Sequence, residues 1–239
     1  MKIFLGRKRV EHYHGMVIHA DLGLHEQIAA IVQSQVAVGQ CVLDLGAGEG
    51  ALSARLVDLG YRVIAVDKDE ANFKCSDVSF RRVDFDRSAD ISAFVDDHEA
   101  SFDAVLGIEV IGHVQDQWQY VSHLMRLVKP GGLILITTPN VTSWLSRLLF
   151  FFNGRFHQFG NGDLEYGHIN PITPWELDLI LRRSGAVDIN LQPAGTLPAL
   201  YLTGLNPMSI LNVLILPLRF LMRGMLDGWC VMATARRPN

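Results

Sequence analysis

Short apolar runs that alternate with helical segments constrain the fold of this chain more than any other feature. Their apolar residues do not alternate with polar ones, so both faces of each strand are expected to be buried. The runs are 41–45, 62–66, 80–83, 102–108 and 133–137. Strands of this kind occur in parallel sheets with helices on both faces. The sequence therefore predicts an α/β fold with a mostly parallel sheet.

Helical segments are predicted between these runs and on either side of them. They cover 24–38, 51–59, a short stretch near Glu70, 91–97 and 117–128. The motif KPGG at 129–132 is expected to stop the last of these helices and to turn into the fifth strand. Two further strands, 185–192 and 228–238, are separated by an apolar stretch. One domain over 1–239 is the simplest interpretation.

Composition excludes several classes of function. The net charge is −4, with no large basic field, so no nucleic-acid partner is expected. The three cysteines are scattered and include no CxxC pair, which favours a reducing compartment over a disulfide framework or zinc cluster. Neither a signal peptide nor ~18 uninterrupted apolar residues is visible. A cytoplasmic location is therefore predicted, and peripheral binding to the inner face of a membrane is the alternative.

A glycine turn follows the first strand in the motif VLDLGAGEG, residues 42–50. Glycine there lets the backbone approach a ligand that a Cβ would block. Gly46, Gly48 and Ala51 also satisfy the dinucleotide fingerprint, so the turn alone does not identify the ligand.

Acidic residues beside the turn distinguish the two candidate ligands. Asp44 and Glu49 would repel the diphosphate that a dinucleotide places at the helix N-terminus. They would attract a ligand that carries ammonium and sulfonium centres, as S-adenosylmethionine does. Asp67 ends the second strand, where an acid can accept hydrogen bonds from ribose hydroxyls. A second acidic turn, VDFD at 83–86, follows the third strand.

Five motifs, in order and at workable spacing, carry a family resemblance over residues 36–185. They are VLDLGAGEG, VIAVDKDE, VDFD, FDAVLGIEVIGHVQD and RLVKPGGLILITTPN. Together they resemble the class I S-adenosylmethionine-dependent methyltransferases of the small-molecule type, similar to those of ubiquinone biosynthesis and the cell envelope. The resemblance implies a Rossmann-like seven-stranded methyltransferase sheet whose last strand is antiparallel.

The resemblance also implies which residues bind the cofactor. Asp44, Gly46 and Gly48 flank its methionine end, and Asp67 binds its ribose. Asp84 and Phe85 border the adenine, while Ile108 and Glu109 line the cleft; Ala47 and Lys68 complete the predicted set.

Three residues are candidates for catalysis: His168, Glu109 and His113. Methyl transfer needs a base only where the acceptor is a hydroxyl that must lose its proton. His168 precedes a helix that is well capped by Thr173, and it is the preferred base. Related ubiquinone and small-RNA 2′-O-methyltransferases read E-x-x-E-H where this chain has Glu109 and His113, and that stretch can bind a divalent metal. Here Gly112 replaces the second Glu, so no metal is expected.

Histidines and apolar segments complete the prediction. His12, His14, His19 and His25 lack acids or cysteines at ligand spacing, so residues 1–38 are interpreted as a flap and helix over the cofactor. Residues 39–140 form the cofactor-binding core. Two insertions, 141–172 and 195–227, contain apolar stretches edged with arginine, which are typical of a substrate cap, a membrane-surface segment or a dimer face.

An apolar acceptor region favours O-methylation of a small hydrophobic or lipid-linked molecule. Transfer to nitrogen or carbon remains open. A dinucleotide-binding oxidoreductase and a non-catalytic S-adenosylmethionine-binding protein are the alternatives from other classes.

Overall fold

A seven-stranded sheet forms the centre of the protein in the computed structural model, which describes residues 10–165, 167–196, 210, 214 and 216–239. The strands are β3 (Cys41–Leu45), β4 (Arg62–Asp67), β5 (Ser79–Arg82), β6 (Phe102–Ile108), β7 (Val128–Pro139), β8 (Val187–Ala194) and β9 (Cys230–Arg236). Their order is β5-β4-β3-β6-β7-β9-β8. Strands β3 to β7 pair in parallel, whereas β9 runs antiparallel to both β7 and β8. The predicted sheet is confirmed.

Seven α-helices lie between or beside the strands in the described residues. They are α1 (Leu24–Gln35), α2 (Ala51–Asp58), α3 (Ser88–Asp97), α4 (Gln117–Leu127), α5 (Trp144–Asn153), α6 (Asn161–Glu165) and α7 (Pro174–Arg183). All but α5 and α6 are at predicted places. Thr173 caps α7, where its side chain accepts a hydrogen bond from the Glu176 backbone N–H. Short 3-10 helices cover Glu70–Asn72 and Leu216–Leu221.

Strand β7 starts earlier than the sequence predicts. The prediction placed a turn at 129–132 and the strand at 133–137, but β7 already begins at Val128. The Gly131 backbone N–H donates to the Arg237 carbonyl at 2.9 Å, and the Arg236 guanidinium donates to the Gly131 carbonyl at 2.7 Å. These contacts with the end of β9 keep the glycine pair in the sheet.

Apolar residues on both faces of the sheet explain the unalternating runs. On β3, Leu43 packs in one apolar cluster and Val42 in another on the opposite face. The same division separates Val105 from Ala104 on β6. Strands β3 and β6 are thus buried on both faces, as parallel strands between two helical layers must be. The expectation is wrong for β5, which lies at the edge of the sheet and is mostly exposed.

A β-hairpin precedes α1 and was not predicted as strand. Strands β1 (Glu11–Tyr13) and β2 (Met16–Ile18) pair antiparallel around His14 and Gly15, whose φ angles are 48° and 78°. Two positive φ values match the tight turns that join hairpin strands. The Tyr13 hydroxyl donates to Asp58 at 2.6 Å, which attaches the hairpin to the end of α2. The predicted flap therefore includes this hairpin, although residues 1–9 lie outside the described part.

The two predicted insertions differ in how much of them is described. Residues 141–172 contain α5 and α6, whereas most of 195–227 lies outside the described residues. Trp144 and Leu148 of α5 pack against Met222 and Leu226. Within the described ranges, no helix is both long and apolar enough to cross a bilayer. The subdivision of the domain stays a prediction.

Candidate functional site

A cleft of about 850 Å³ opens at the carboxyl ends of the parallel strands. Register brings these ends together, since Asp44 of β3 pairs with Leu106 of β6 and Ile108 pairs with Thr137 of β7. All twelve residues predicted for cofactor binding or catalysis line this cleft. They are Asp44, Gly46, Ala47, Gly48, Asp67, Lys68, Asp84, Phe85, Ile108, Glu109, His113 and His168. The structure thus brings the predicted set together, while the role of each residue stays a prediction.

The turn after β3 presents its backbone to the cleft. Gly46 and Gly48 have φ angles of 77° and 55°, which L side chains rarely adopt. A Cβ on Gly46 would collide with the Val110 side chain, so this glycine is needed for packing. A Cβ on Gly48 would meet only His19, at 3.9 Å. Gly48 therefore faces open space in which a ligand can approach the backbone.

Asp67 is fixed in place by the turns on either side of it. Its Oδ2 accepts a hydrogen bond from the Gly48 N–H at 2.9 Å, and its Oδ1 accepts one from the Asp69 N–H at 3.0 Å. Each carboxylate oxygen can accept a further bond, so a pair of ribose hydroxyls could be held in a defined orientation.

Asp84 and Phe85, the residues predicted to border the adenine, lie on the turn after β5. Asp84 Oδ1 accepts from the Asp86 N–H at 3.1 Å. Phe85 meets the Tyr120 ring edge-on, with centroids 5.7 Å apart. Because Tyr120 is buried in the main apolar cluster, this contact fixes the Phe85 ring at the wall of the cleft.

Asp44 is a buried acid at the end of β3. Only 1% of its surface is exposed, and the Ser53 hydroxyl donates to its Oδ2 at 2.6 Å. Burial raises the pKa of its carboxyl to about 6, because the charged form loses its hydration. A cationic ligand in the cleft would stabilise that charged form.

Glu49 makes contacts that the sequence did not predict. Its carboxylate pairs with Lys74 at 2.7 Å and accepts from the Val17 N–H at 2.7 Å. The hydrogen bond from Lys74, followed by that from Val17, holds the pKa of Glu49 below its usual value. Glu49 lines the cleft, but Lys74 compensates much of its negative charge. The hydrogen bond from the Val17 N–H to Glu49 also connects β2 to the glycine turn.

At the other end of the cleft, Glu109 adopts a strained backbone conformation. Its φ is 58°, and its N–H donates to the Thr137 carbonyl at 3.1 Å. Burial raises the pKa of its carboxyl. Within the described part of the chain, its buried Oε1 has no hydrogen-bond partner. Non-glycine residues at positive φ persist where the surrounding structure enforces them, often at functional sites.

His113 and His168 meet ring to ring beside Glu109. Their centroids are 4.5 Å apart, and His168 Nδ1 lies 2.8 Å from the Gln158 carbonyl oxygen. Helix α4 begins at Gln117, after the Asp116 cap, so His113 does not lie on it. Residues 110–113 form a turn instead, and this brings His113 against His168.

Fifteen described residues besides the predicted twelve line the cleft, and several of them are brought there by tertiary contacts. They are Val17, His19, Ala20, Asp21, His25, Ala51, Leu52, Asn72, Asp86, Val110, Val114, Gln158, Asp163 and Trp229, besides Glu49. Asp21 accepts from the Thr196 N–H at 2.5 Å, across 175 positions of sequence. Burial lowers the pKa of His25 to about 4. Among the described residues, no three His, Cys, Asp or Glu side chains form a metal-binding group.

Fold and cleft together define a class I methyltransferase architecture. A family model described as a methyltransferase domain matches residues 21–191, so the chain belongs to the methyltransferase-domain family. The predictions of class I S-adenosylmethionine-dependent methyltransferase fold, family and cofactor class are confirmed by this match and by the neighbours below.

Curated relatives resemble part of the chain. A probable S-adenosylmethionine-dependent methyltransferase of Mycolicibacterium smegmatis is 39% identical over 102 residues, which cover 43% of this chain and 39% of the relative. A ubiquinone biosynthesis O-methyltransferase of Maricaulis maris is 37% identical over 109 residues, covering 44% and 42%. The matched region thus spans only about two fifths of the length of these relatives.

Solved structures share the fold over nearly the whole chain. An Archaeoglobus fulgidus SAM-dependent methyltransferase has a TM-score of 0.60 at 18% identity, covering 89% of this chain and 94% of its own. Phosphoethanolamine N-methyltransferase 2 of Haemonchus contortus, in complex with S-adenosyl-L-methionine, has a TM-score of 0.58 at 16% identity, covering 93% and 54%.

Proposed function

We propose that this protein transfers the methyl group of S-adenosylmethionine to an oxygen of a small hydrophobic or lipid-linked acceptor. The observation that carries the proposal is the charge of the cleft. Among the described residues that line it, eight carry carboxyl groups and one, Lys68, carries an ammonium group; one of the eight, Glu49, is paired with Lys74. The carboxyl groups belong to Asp21, Asp44, Glu49, Asp67, Asp84, Asp86, Glu109 and Asp163.

This balance of charge favours a cationic ligand over a dinucleotide. A dinucleotide would bring two phosphate charges into a cleft that is already acidic, and like charges repel strongly where water is partly excluded. S-adenosylmethionine brings a sulfonium and an ammonium group instead. The oxidoreductase alternative is therefore disfavoured by electrostatics as well as by the family assignment.

The residues at the glycine turn fit this cofactor. Gly48 leaves its side of the turn open, and Asp67 presents two oriented oxygens to hydroxyl groups. Asp44 supplies a buried negative charge beside the turn. When bound, the cofactor supplies a methyl group that its sulfonium centre already activates, so the protein's task is to align the acceptor and exclude water.

His168 is suited to remove the proton of an acceptor hydroxyl. If its Nδ1–H donates to the Gln158 carbonyl, the lone pair of the ring lies on Nε2. That nitrogen could accept the hydroxyl proton, so that the oxygen could take the methyl group that a bound cofactor would supply, with the carbon–sulfur bond broken and the sulfur left as a neutral thioether. Glu109 Oε1 and the Gln158 amide nitrogen are buried in the same cleft with no hydrogen-bond partner among the described residues. They could orient the polar end of the acceptor.

Oxygen is favoured as the acceptor atom by the matched ubiquinone biosynthesis O-methyltransferases. Transfer to nitrogen is the second candidate, because a methylated amine needs no strong base. The expected lack of a nucleic-acid partner, the homodimer and the cytoplasmic location stay predictions.

The decisive experiment offers matched acceptors with S-adenosylmethionine labelled in its methyl group. A catechol that bears an isoprenoid tail should accept label at its oxygen, while its short-chain analogue reacts less well and the corresponding aniline reacts least. Calorimetry should show binding of S-adenosylmethionine and none of NAD. Preferential labelling of the aniline would indicate nitrogen, not oxygen, as the acceptor atom. Tight cofactor binding with no turnover on any acceptor would indicate a non-catalytic binding protein.

A further inference from the structure

Large apolar side chains are exposed on two neighbouring segments beyond the cleft. Phe150, Phe151 and Phe152 end α5, and Phe151 is 79% exposed. The 3-10 helix Leu216–Leu221 presents Phe220 at 95% and Leu221 at 81%. We call these five side chains, together with Leu218, the apolar face. Side chains this exposed to water cost free energy unless another surface covers them.

The two segments that carry the apolar face are joined at their base. Trp144 and Leu148 of α5 pack against Met222 and Leu226, which follow the 3-10 helix. The Arg147 guanidinium donates to the Arg223 carbonyl and to the Thr142 carbonyl, both at 2.8 Å. These contacts hold the roots of the two segments together on one side of the protein.

The two sequence segments that carry the apolar face contain arginines, and the first acids after them are Asp163 and Asp227. Residues 141–162 and 197–226 contain four arginines and no Asp, Glu or Lys, whereas the whole chain has a net charge of −4. Arg155 and Arg223 are exposed, and neither forms an ion pair with any described residue. Aromatic and leucine side chains edged by arginine are typical of segments that lie in the interface of an anionic membrane.

A second copy of this chain is less suited than a membrane to cover the apolar face. In a two-fold dimer the same patch meets itself, so the arginines around the apolar face would lie close to their counterparts. An anionic lipid surface offers the opposite charge together with acyl chains for the phenyl groups.

From these features we propose that the apolar face docks the protein on an anionic lipid bilayer as a peripheral protein. Docking would place the acceptor end of the cleft near the lipid, because Gln158 and His168 follow α5 in the chain. The His157 N–H donates to the Ser146 hydroxyl at 3.0 Å, which folds this stretch back onto α5. The proposal does not depend on methyl transfer, so its failure would leave the proposed function intact.

Co-sedimentation with vesicles tests the proposal on the full chain. Vesicles of phosphatidylcholine with one third phosphatidylglycerol should bind the protein, and vesicles of phosphatidylcholine alone should bind it much less. Phe151→Ser/Phe152→Ser should lower the partition coefficient by about tenfold or more, since two phenyl groups no longer insert. Arg155→Gln/Arg223→Gln should lower it by about fivefold per arginine, and 0.5 M salt should act in the same direction.

Trp175→Ser is the matched control, because Trp175 is 74% exposed on α7, outside the two acid-free segments. It should bind vesicles as the unaltered protein does, and circular dichroism should show that all variants are folded. Lack of binding to anionic vesicles, or equal binding by Phe151→Ser/Phe152→Ser, would overturn the proposal. Light scattering that shows a dimer dissociated by the phenylalanine changes would also overturn it, by assigning the face to a second copy.

Discussion

At the proposed cofactor end of the cleft, the predicted binding residues lie on strand ends and a glycine turn that are close in sequence. At the acceptor end they come from β6, from the segment after α5 and from the loop before α7. Asp67 is held by two backbone N–H groups in its own neighbourhood, whereas His168 is held by the carbonyl of Gln158 and the ring of His113. The difference suggests that the cofactor end is set by the sheet itself. The acceptor end depends on contacts that sequence variation can alter without changing the fold.

The largest effect should come from filling the turn at the cofactor end. Gly48→Val places a branched side chain in the open space beside the turn and should abolish detectable S-adenosylmethionine binding by calorimetry. The protein should still fold, because nothing lies within contact distance except His19 at 3.9 Å. Gly39→Val is the control: Gly39 also has a positive φ, 87°, but no neighbour within 4 Å and no place in the cleft.

Both glycine variants should lose about 1–3 kcal/mol of stability through backbone strain. Only Gly48→Val should lose binding. Normal affinity in that variant would show that the cofactor does not lie against this turn.

His168→Ala tests the acceptor end and should lower kcat by roughly 10²–10⁴, with little change in cofactor affinity, since loss of a general base acts on the chemical step. His98→Ala serves as control, because His98 Nδ1 also lies 2.9 Å from a backbone carbonyl, that of Phe94, but His98 does not line the cleft. Steady-state kinetics with saturating cofactor gives the comparison. If His168→Ala lowers only stability and spares turnover per folded molecule, the residue is structural.

Asp67→Ala should weaken cofactor binding by about 1.5–3 kcal/mol, the size of charge-assisted hydrogen bonds to a ribose. It should leave the acceptor KM unchanged, because the acceptor end is built from other segments. Asp77→Ala, an exposed acid outside the cleft, should bind normally. Unchanged affinity in a folded Asp67→Ala protein would remove Asp67 from the site.

Asp44→Asn should have the smallest effect, a gain of about 1–3 kcal/mol in the stability of the unliganded protein at pH 7. Burial raises the pKa of Asp44 from 3.8 to about 6, so the folded state binds the proton more tightly than the unfolded state. The cost of the charged form therefore appears as pH rises from about 4 to 6 and is complete above 6. Asparagine can still accept from Ser53.

Urea unfolding at pH 7.5 and pH 4.5 measures this gain. The variant should be the more stable protein at pH 7.5, and the difference should fall to about a third of that value at pH 4.5, because this pH lies between the unfolded and folded pKa values of Asp44. S-adenosylmethionine should bind the variant more weakly. If the variant and the unaltered protein were equally stable at both pH values, Asp44 would carry no desolvation cost.

Sequence predicted the sheet, and it predicted which strand-end residues lie together at the cleft, because both depend on local patterns. Strand β6 has the predicted bounds, and the residues from Asp44 to Gly48 lie at the cleft. The hairpin β1–β2 was missed because each strand has only three residues, too few for a periodic signal. The ion pair of Glu49 with Lys74 was missed for a different reason. This ion pair depends on the position of Lys74 in the folded protein, which no sequence pattern predicts.

The position of β9 has a consequence for how the protein folds during synthesis. This strand lies between β7 and β8, yet it is made after both. Strand β8 therefore cannot form interstrand hydrogen bonds until residues 230–236 have emerged from the ribosome. Strands β3 to β6, in contrast, can pair with one another as they emerge. Completion of the sheet waits for a contact of long sequence separation, the kind that slows folding and leaves an edge open to other chains. The unpaired edge of β7 is then the point at which a nascent chain is most exposed to aggregation.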